Sequence, residues 1–171
     1  MINFRRAKIN DLDHIILMYK DVCRYMEQNN VNIWNEEYPF KMFEADIQFQ
    51  RLYVLENRQH IIDCFALCED NDCKRSFTWK NDCLKSCYVE RLAVNPIYNK
   101  QGMGSLLLKY CIQVCEYLKY DYLRLFVVDF NKPAIALYEK LGFYKVEGLH
   151  RLEATKTLTF YEYGYEYELN K

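Results

Sequence analysis

The sequence has few of the features that mark membrane, secreted or nucleic-acid-binding proteins. None of its apolar runs exceeds five residues, whereas a helix that crosses a bilayer needs roughly 20. Polar residues from Lys8 onward stand where a signal peptide would carry its apolar stretch. The formal net charge is only −1, so no global positive field favours nucleic acid. We therefore expect a cytoplasmic protein with no membrane partner and no nucleic-acid partner.

Metal-binding spacings are also missing. The chain has eight cysteines but no C-x-x-C pair, and its three histidines lie far apart in the sequence. Without a signal peptide, the thiols are expected to be reduced rather than joined in a disulfide framework. Metal is therefore not expected as part of the site.

Turn-forming residues are scarce, with five glycines and three prolines in 171 residues, and no Gly/Ser/Pro-rich linker divides the chain. The composition, 51% apolar and 27% charged, is that of one globular domain over residues 1–171. Apolar alternation predicts strands at 2–9, 52–55, 61–68, 87–94, 122–128, 144–146 and 160–169. Helical spacing predicts helices after an Asn10–Asp13 capping box, at 40–49, at 102–119 and from Pro133 to Gly142. Strands on both sides of crossover helices predict an α/β or α+β fold with helices on the faces of the sheet.

The most informative stretch runs from the strand at 87–94 through a loop into the helix that begins near Gly102. Glycines at a helix entry let a ligand approach the backbone, and the first N–H groups and the helix dipole bind anionic oxygens. A dinucleotide fingerprint would need a third glycine where Leu107 stands, and the Gly-Lys-Ser/Thr of a P-loop is absent. The pattern predicts a phosphate ligand, with an ordinary glycine turn as the alternative.

Two motifs resemble one family. ERLAVNP at 90–96, followed by QGMG at 101–104 and a leucine-rich helix, is similar to the GNAT superfamily of acetyl-CoA-dependent N-acetyltransferases. NKPAIALYEKLGF at 131–143 resembles that family's later signature. One departure from the family pattern is Asn99, which stands where the family usually has Arg or Gln.

The resemblance implies a fold and a set of cofactor contacts. The fold would be a mixed, mostly antiparallel sheet of about six or seven strands, with helices on both faces and a splayed central pair of parallel strands. The cofactor would be acetyl-CoA, a form of coenzyme A. The residues implied to bind it are Leu92, Ala93, Val94, Asn99, Lys100, Gln101, Gly102, Met103, Gly104, Ser105, Asn131 and Tyr138.

The implied reaction is aminolysis of a thioester, in which an amine attacks the acetyl carbonyl directly in a ternary complex. The resemblance makes Tyr138 the acid for the departing sulfur, and Glu90 is the candidate base. Each has an alternative: Tyr138 as a core residue, and Glu90 as one half of a solvated or salt-bridged pair with Arg91. Tyr88 is a further candidate base.

The acceptor is predicted only as a primary amine of a small molecule or peptide. Trp34 and Tyr38 are the candidate substrate-binding residues, with core packing as the alternative for Trp34. Acidic residues suit a cationic amine, and they concentrate at Glu27, Glu36, Glu37, Glu44, Asp46, Glu162, Glu166 and Glu168. A homodimer is possible, and the rival functions are a non-catalytic acyl-CoA-binding regulatory domain and a plain interaction domain.

Overall fold

A computed structural model describes residues 2–35, 37–58, 60–153 and 159–169. Contacts divide the chain into two compact units, Met1–Leu67 with Arg91–Cys111 and Cys68–Glu90 with Ile112–Lys171. The helices are α1 (Leu12–Gln28), α2 (Phe43–Gln48), α3 (Met103–Tyr117) and α4 (Lys132–Lys140). The strands are β1 (Ile2–Arg6), β2 (Leu52–Asn57), β3 (His60–Cys68), β4 (Phe77–Thr78), β5 (Ser86–Val94), β6 (Tyr122–Val128), β7 (Tyr144–Lys145), β8 (Glu147–Gly148), β9 (His150–Glu153) and β10 (Thr159–Glu168).

In the first unit, β1, β2, β3 and the end of β5 lie side by side, and the two pairings β1–β2 and β2–β3 are antiparallel. Successive side chains of a strand point to opposite faces. Cys64 of β3 contacts Tyr19 of α1 on one face. On the other face, Phe4 stacks on Phe65 with ring centroids 6.1 Å apart and on Tyr110 of α3 at 4.5 Å. Helices therefore cover both faces of this part of the sheet, as predicted.

The entry to α1 differs from the sequence-based prediction. A 3-10 turn at Ile9–Asp11 precedes the helix and ends β1 at Arg6, so the predicted strand was too long. The predicted Asn10–Asp13 capping box is wrong, because Asp11 takes that role for the turn. Its carboxylate accepts a hydrogen bond of 2.7 Å from the Lys8 backbone N–H and pairs with Arg5 at 2.6 Å. The predicted helix itself is present, and its buried residues are Ile15, Met18, Tyr19 and Val22.

In the second unit, β5 pairs with β6, β6 with β10, and β10 with both β7 and β9. The β5–β6 pair is parallel, with residues 86–88 beside residues 122–124, and the other pairings of this sheet are antiparallel. A crossover helix joins parallel neighbours, and α3 is that helix. The mixed, mostly antiparallel sheet with a central parallel pair is therefore confirmed. The short pair β4–β8 forms a separate two-stranded sheet.

Aromatic rings and one buried ion pair fill the core of the second unit. Tyr88 stacks on Phe126 with centroids 5.8 Å apart, and Trp79 lies edge-on to Tyr88 at 6.3 Å. The guanidinium of Arg124 donates from Nε to Glu166 at 2.7 Å, and both side chains are almost fully buried. A charge removed from water needs such a partner.

The second predicted crossover helix is also present. α4 starts after Asn131, carries Pro133 in its first turn and ends before Gly142, whose φ of +92° suits a glycine just past a helix end. Among the described residues, no helix is long and apolar enough to span a membrane.

Candidate functional site

The end of β5 is fixed to β3 through Asn95. Its backbone N–H donates to the Ile62 carbonyl at 2.7 Å, and its side-chain oxygen accepts from the Ile97 N–H at 3.1 Å. This cap starts the short 3-10 turn Pro96–Tyr98. The chain therefore leaves the sheet at a defined point before it enters the loop that precedes α3.

The loop before α3 has the backbone geometry of an anion-binding turn. Lys100 and Gly102 both have positive φ, +60° and +81°. A Cβ built on Gly102 would meet nothing within 4 Å, so open space adjoins the backbone at that point. The first four N–H groups of a helix have no acceptor within the helix. Residues 101–105 are at least partly exposed, so their backbone can be reached by a phosphate group.

β5 carries a left-handed residue in its middle. Arg91 has φ +53°, a conformation that costs energy for any residue except glycine and has to be held by its surroundings. Its guanidinium Nε lies 2.8 Å from Asp46 Oδ2, and Arg51 Nε lies 2.7 Å from the other Asp46 oxygen. The Tyr19 hydroxyl donates a short hydrogen bond to the Arg91 carbonyl. These contacts fix the backbone immediately before Leu92, Ala93 and Val94, the candidate cofactor-binding residues of the strand.

The ion pair between Arg91 and Asp46 tests the interpretation that Glu90 pairs with Arg91. Arg91 is 5% exposed and engaged by Asp46, so the interpretation of Glu90 and Arg91 as a solvated pair is wrong. Glu90 is half-buried and accepts a hydrogen bond of 2.8 Å from Asn71 Nδ2. Tyr88, the other candidate base, is buried, and its hydroxyl lies 3.3 Å from Arg124 Nη1. Glu90 is therefore the more accessible of the two.

Tyr138 lies in a ring cluster of the second unit. It is 8% exposed, with its ring centroid 6.0 Å from that of Phe143 and 6.3 Å from that of Tyr165. The core packing that the sequence offered as an alternative for Tyr138 is therefore present. Asn131 uses its side-chain oxygen to cap α4, accepting from Ala134 N at 3.4 Å. This leaves the Asn131 amide nitrogen as the group that could donate to a ligand.

The first unit contains a cavity whose lining includes Asn35, the residue that follows the candidate acceptor residue Trp34. The cavity has a volume of about 600 Å³, and its described lining is Ile16, Lys20, Cys23, Arg24, Asn35 and Phe40. Trp34 is half-buried against Tyr19, with ring centroids 5.5 Å apart, and Tyr38 is 39% exposed. Trp34 precedes Asn35 in the chain, and the Asn35 N–H donates to the Tyr38 carbonyl at 2.9 Å. Two of the described lining residues are basic, which the sequence had not indicated.

Several acidic residues that the sequence associated with the acceptor have structural partners instead. Asp46 is buried between two arginines, as described above. Glu166 accepts from Arg124, from the Tyr144 hydroxyl and from the Lys80 backbone N–H. Glu168 lies 2.5 Å from Lys80 Nζ, and Glu37 lies 2.6 Å from Lys41 Nζ. Glu36 lies outside the described residues. Glu162 is half-buried, and burial and then the Glu90 carboxylate raise its pKa.

The structure also brings together side chains that sequence reasoning missed. Cys73, His150 and Glu162 place one potential ligand atom each within 4.8 Å of the other two. No spacing rule could find them, because they lie on three segments that meet only through the pairing of β9 with β10 and the packing of the turn Asp72–Ser76.

The segment that contains β5, the glycine loop and α4 lies within a match to a known protein family. The model of the acetyltransferase (GNAT) family matches residues 18–143, and the chain belongs to that family. Thialysine N-epsilon-acetyltransferase of Bos taurus is 40% identical over 65 residues, which cover 38% of this chain and 36% of the relative. The chain thus matches about a third of the length of that curated relative.

Solved structures share the fold over nearly the whole chain. A GNAT-family acetyltransferase from Streptococcus agalactiae has a TM-score of 0.83 at 17% identity, covering 99% of this chain and 96% of that one. NAA60 of Arabidopsis thaliana, solved with a bisubstrate analogue, has a TM-score of 0.74 at 18% identity, covering 99% of both chains. At these identities the likeness concerns the fold alone.

Proposed function

We propose that this protein is an acetyl-CoA-dependent N-acetyltransferase that acetylates a primary amine of a small molecule or peptide by direct attack in a ternary complex. The observation that carries the proposal is the β5–loop–α3 segment, in which the left-handed Gly102 adjoins open space at the start of a helix. A pyrophosphate needs such an approach to backbone N–H groups. Family membership supplies the reaction class.

The residues that would hold the cofactor fall into three groups. Backbone N–H groups of Gly102, Met103, Gly104 and Ser105 would bind the pyrophosphate, with Asn99, Lys100 and Gln101 beside them. Backbone groups of Leu92, Ala93 and Val94 would pair with the pantetheine arm, and the Asn131 amide would donate to it. The open space at Gly102 is the structural sign that the loop fits this ligand.

Two side chains would move the protons. Acetyl-CoA supplies an acetyl thioester whose carbonyl carbon an amine can attack. The Tyr138 hydroxyl would donate a proton to the departing sulfur, and the Glu90 carboxylate would accept a proton from the amine directly or through water. Glu90 is suited to this role because it is half-buried and held by Asn71.

The acceptor would enter near Trp34 and Tyr38. The relative from Bos taurus is named for an amine of thialysine, which supports a small-molecule amine here. Lys20 and Arg24 line the neighbouring cavity, so an acceptor that carries a carboxylate beside its amine would fit better than a polyamine. Opposite charges favour that choice.

We further propose that the protein is cytoplasmic, that both units belong to one acetyltransferase domain, and that two copies associate. The eight cysteines are not joined to one another in the structure, and a reducing compartment would keep them as thiols. The family match runs from residue 18 to residue 143 and so includes parts of both units.

The proposed association of two copies is supported by exposed apolar side chains. Large exposed side chains such as Phe49, Ile97 and Tyr117 offer apolar surface for a second copy. Light scattering at several concentrations tests the dimer.

Two measurements separate the rival functions. A thermal shift with acetyl-CoA detects cofactor binding, because a ligand at 100 times its dissociation constant stabilises the folded state by about 2.7 kcal/mol. An interaction domain would show no shift. Thiol release from acetyl-CoA across amino acids, polyamines, aminoglycosides and peptide N-termini then distinguishes an enzyme from a regulator that only binds. Binding without release on every acceptor would favour the regulator.

A further inference from the structure

A mixed cluster of sulfur, nitrogen and oxygen ligands lies in the second unit. Cys73 belongs to the 3-10 turn Asp72–Ser76, His150 begins β9, and Glu162 lies in β10. One potential ligand atom from each lies within 4.8 Å of the other two. Each residue comes from a different segment, so the fold itself produces the cluster.

The backbone holds these three residues in place. His150 and Glu162 are directly opposite each other in the antiparallel β9–β10 ladder, so their side chains lie on the same face of the sheet. Cys73 N donates to Asn71 Oδ1 at 2.7 Å, and Asn71 Nδ2 donates to Glu90 at 2.8 Å. The cluster is therefore built on hydrogen-bonded elements and not on a loose surface loop.

We propose that Cys73, His150 and Glu162 form a zinc-binding site. Thiolate, imidazole and carboxylate together are a donor set that zinc accepts, whereas calcium and magnesium prefer oxygen alone. Three protein ligands leave one position of a tetrahedral ion for water. The observations behind this site differ from those behind the proposed acetyl transfer.

The surroundings of His150 match those of a metal-binding histidine. Ser76 Oγ lies 3.0 Å from His150 Nδ1, and a partner of this kind fixes the orientation of the ring. Nε2 is then the nitrogen that binds the ion. Ser76 lies in the same turn as Cys73, so one short segment supplies both a ligand and the group that orients a second ligand.

The charge of the cluster also favours a cation. Glu162 is half-buried and, within the described part of the chain, has no lysine or arginine in ion-pair contact. The Glu90 carboxylate lies close enough to Glu162 to repel it electrostatically, so the cluster has a second negative group beside it. A buried carboxylate is normally paired with a cation or bound to a metal. A zinc ion would provide that compensation and, through Asn71, would also steady Glu90.

The site can be tested on the whole protein after treatment with a chelator. Cobalt added in place of zinc should bind in a one-to-one complex and give a near-ultraviolet thiolate-to-metal charge-transfer band. Cys73→Ser should remove that band, and His150→Gln and Glu162→Gln should each weaken zinc binding at least about tenfold in competition with a chromophoric chelator. Native mass spectrometry should show a single zinc ion per chain.

Matched controls use residues of the same types elsewhere. Cys83→Ser, His60→Gln and Glu153→Gln change exposed side chains and should leave the band and the zinc affinity unchanged. Circular dichroism checks that each variant folds, and Glu162→Gln decides the question if Cys73→Ser does not fold. An absence of one-to-one binding to the wild-type protein, or an affinity for zinc equal to that of the wild type in the three cluster variants, would overturn the proposal. Loss of the band in Cys83→Ser instead would place the thiolate ligand elsewhere and overturn it as well.

Discussion

Tyr138 combines a buried ring with a hydroxyl that the proposed reaction would use as an acid. The ring packs against Phe143 and Tyr165, so substitution by Phe keeps these ring contacts. Tyr165 belongs to the same ring cluster, and its hydroxyl donates a hydrogen bond of 2.8 Å to Glu139. The two tyrosines therefore allow packing and chemistry to be separated in neighbouring positions of the same unit.

We expect Tyr138→Phe to leave stability and acetyl-CoA affinity nearly unchanged and to lower turnover by roughly 10² to 10⁴, the range for loss of a positioned acid. Tyr165→Phe removes a nearby hydroxyl and should retain turnover. Single-turnover kinetics with the best amine acceptor provide the measurement. Wild-type turnover in Tyr138→Phe would return the residue to a purely structural role.

The proposed phosphate loop at the start of α3 depends on one backbone conformation. Gly102 and Gly142 both have positive φ, +81° and +92°, and each adjoins the end of a helix. Only Gly102 belongs to the proposed phosphate loop. Asparagine tolerates positive φ better than other side chains, so the same substitution at both sites perturbs the backbone to a similar and modest degree.

Gly102→Asn should weaken acetyl-CoA binding at least about tenfold, because its side chain would occupy the space through which a pyrophosphate approaches the helix amides. Gly142→Asn should bind acetyl-CoA like the wild type. Calorimetric titration of both variants measures the difference. Equal affinities for the two variants would move the phosphate site away from this loop.

β3 contains a buried acid in an otherwise apolar run. Asp63 is 0% exposed, and neither of its oxygens has a hydrogen-bond partner among the described residues. Burial raises its pKa from 3.8 to about 7. The folded state therefore holds a proton that the unfolded chain releases at lower pH.

Stability should fall as pH rises from about 4 to 7 and change little above that range as far as Asp63 is concerned. The folded-state pKa is the higher one, so the folded protein binds more protons in this window, and the shift corresponds to about 4 kcal/mol at most. Asp63→Asn should flatten this dependence and raise stability at pH 8. Urea unfolding across pH measures it, with exposed Glu44→Gln as the control. An unchanged profile in Asp63→Asn would contradict the assignment.

The strands and crossover helices could be predicted because their signals are local. Apolar alternation gave the bounds of β6 without error, and Pro133 and Gly142 marked α4 correctly. The start of α1 could not be predicted, because the competition between Asn10 and Asp11 for a capping role depends on a salt bridge from β1. The same holds for the Asp46 pair of Arg91 and for the cluster around Cys73, which join segments distant in sequence.

For the molecule as a whole, the near-zero net charge conceals local differences. The segment from Arg91 to Tyr110 carries basic residues and no acidic one, which suits an anionic cofactor. Elsewhere, the buried carboxylates of Asp46 and Glu166 form ion pairs with arginines. Many acidic residues therefore serve structural ion pairs and not acceptor binding. This is why acidic composition alone did not identify the acceptor site.

The proposed reaction transfers an acetyl group to nitrogen, and thiol release alone does not prove it, since hydrolysis also frees the thiol. The direct measurement is mass spectrometry of the acceptor alongside quantification of free coenzyme A in the same reaction. Transfer predicts an N-acetylated amine in an amount equal to the coenzyme A released, with both lost together in Gly102→Asn at limiting acetyl-CoA. Free coenzyme A with acetate and no acetylated amine, for every acceptor in the panel, would contradict it.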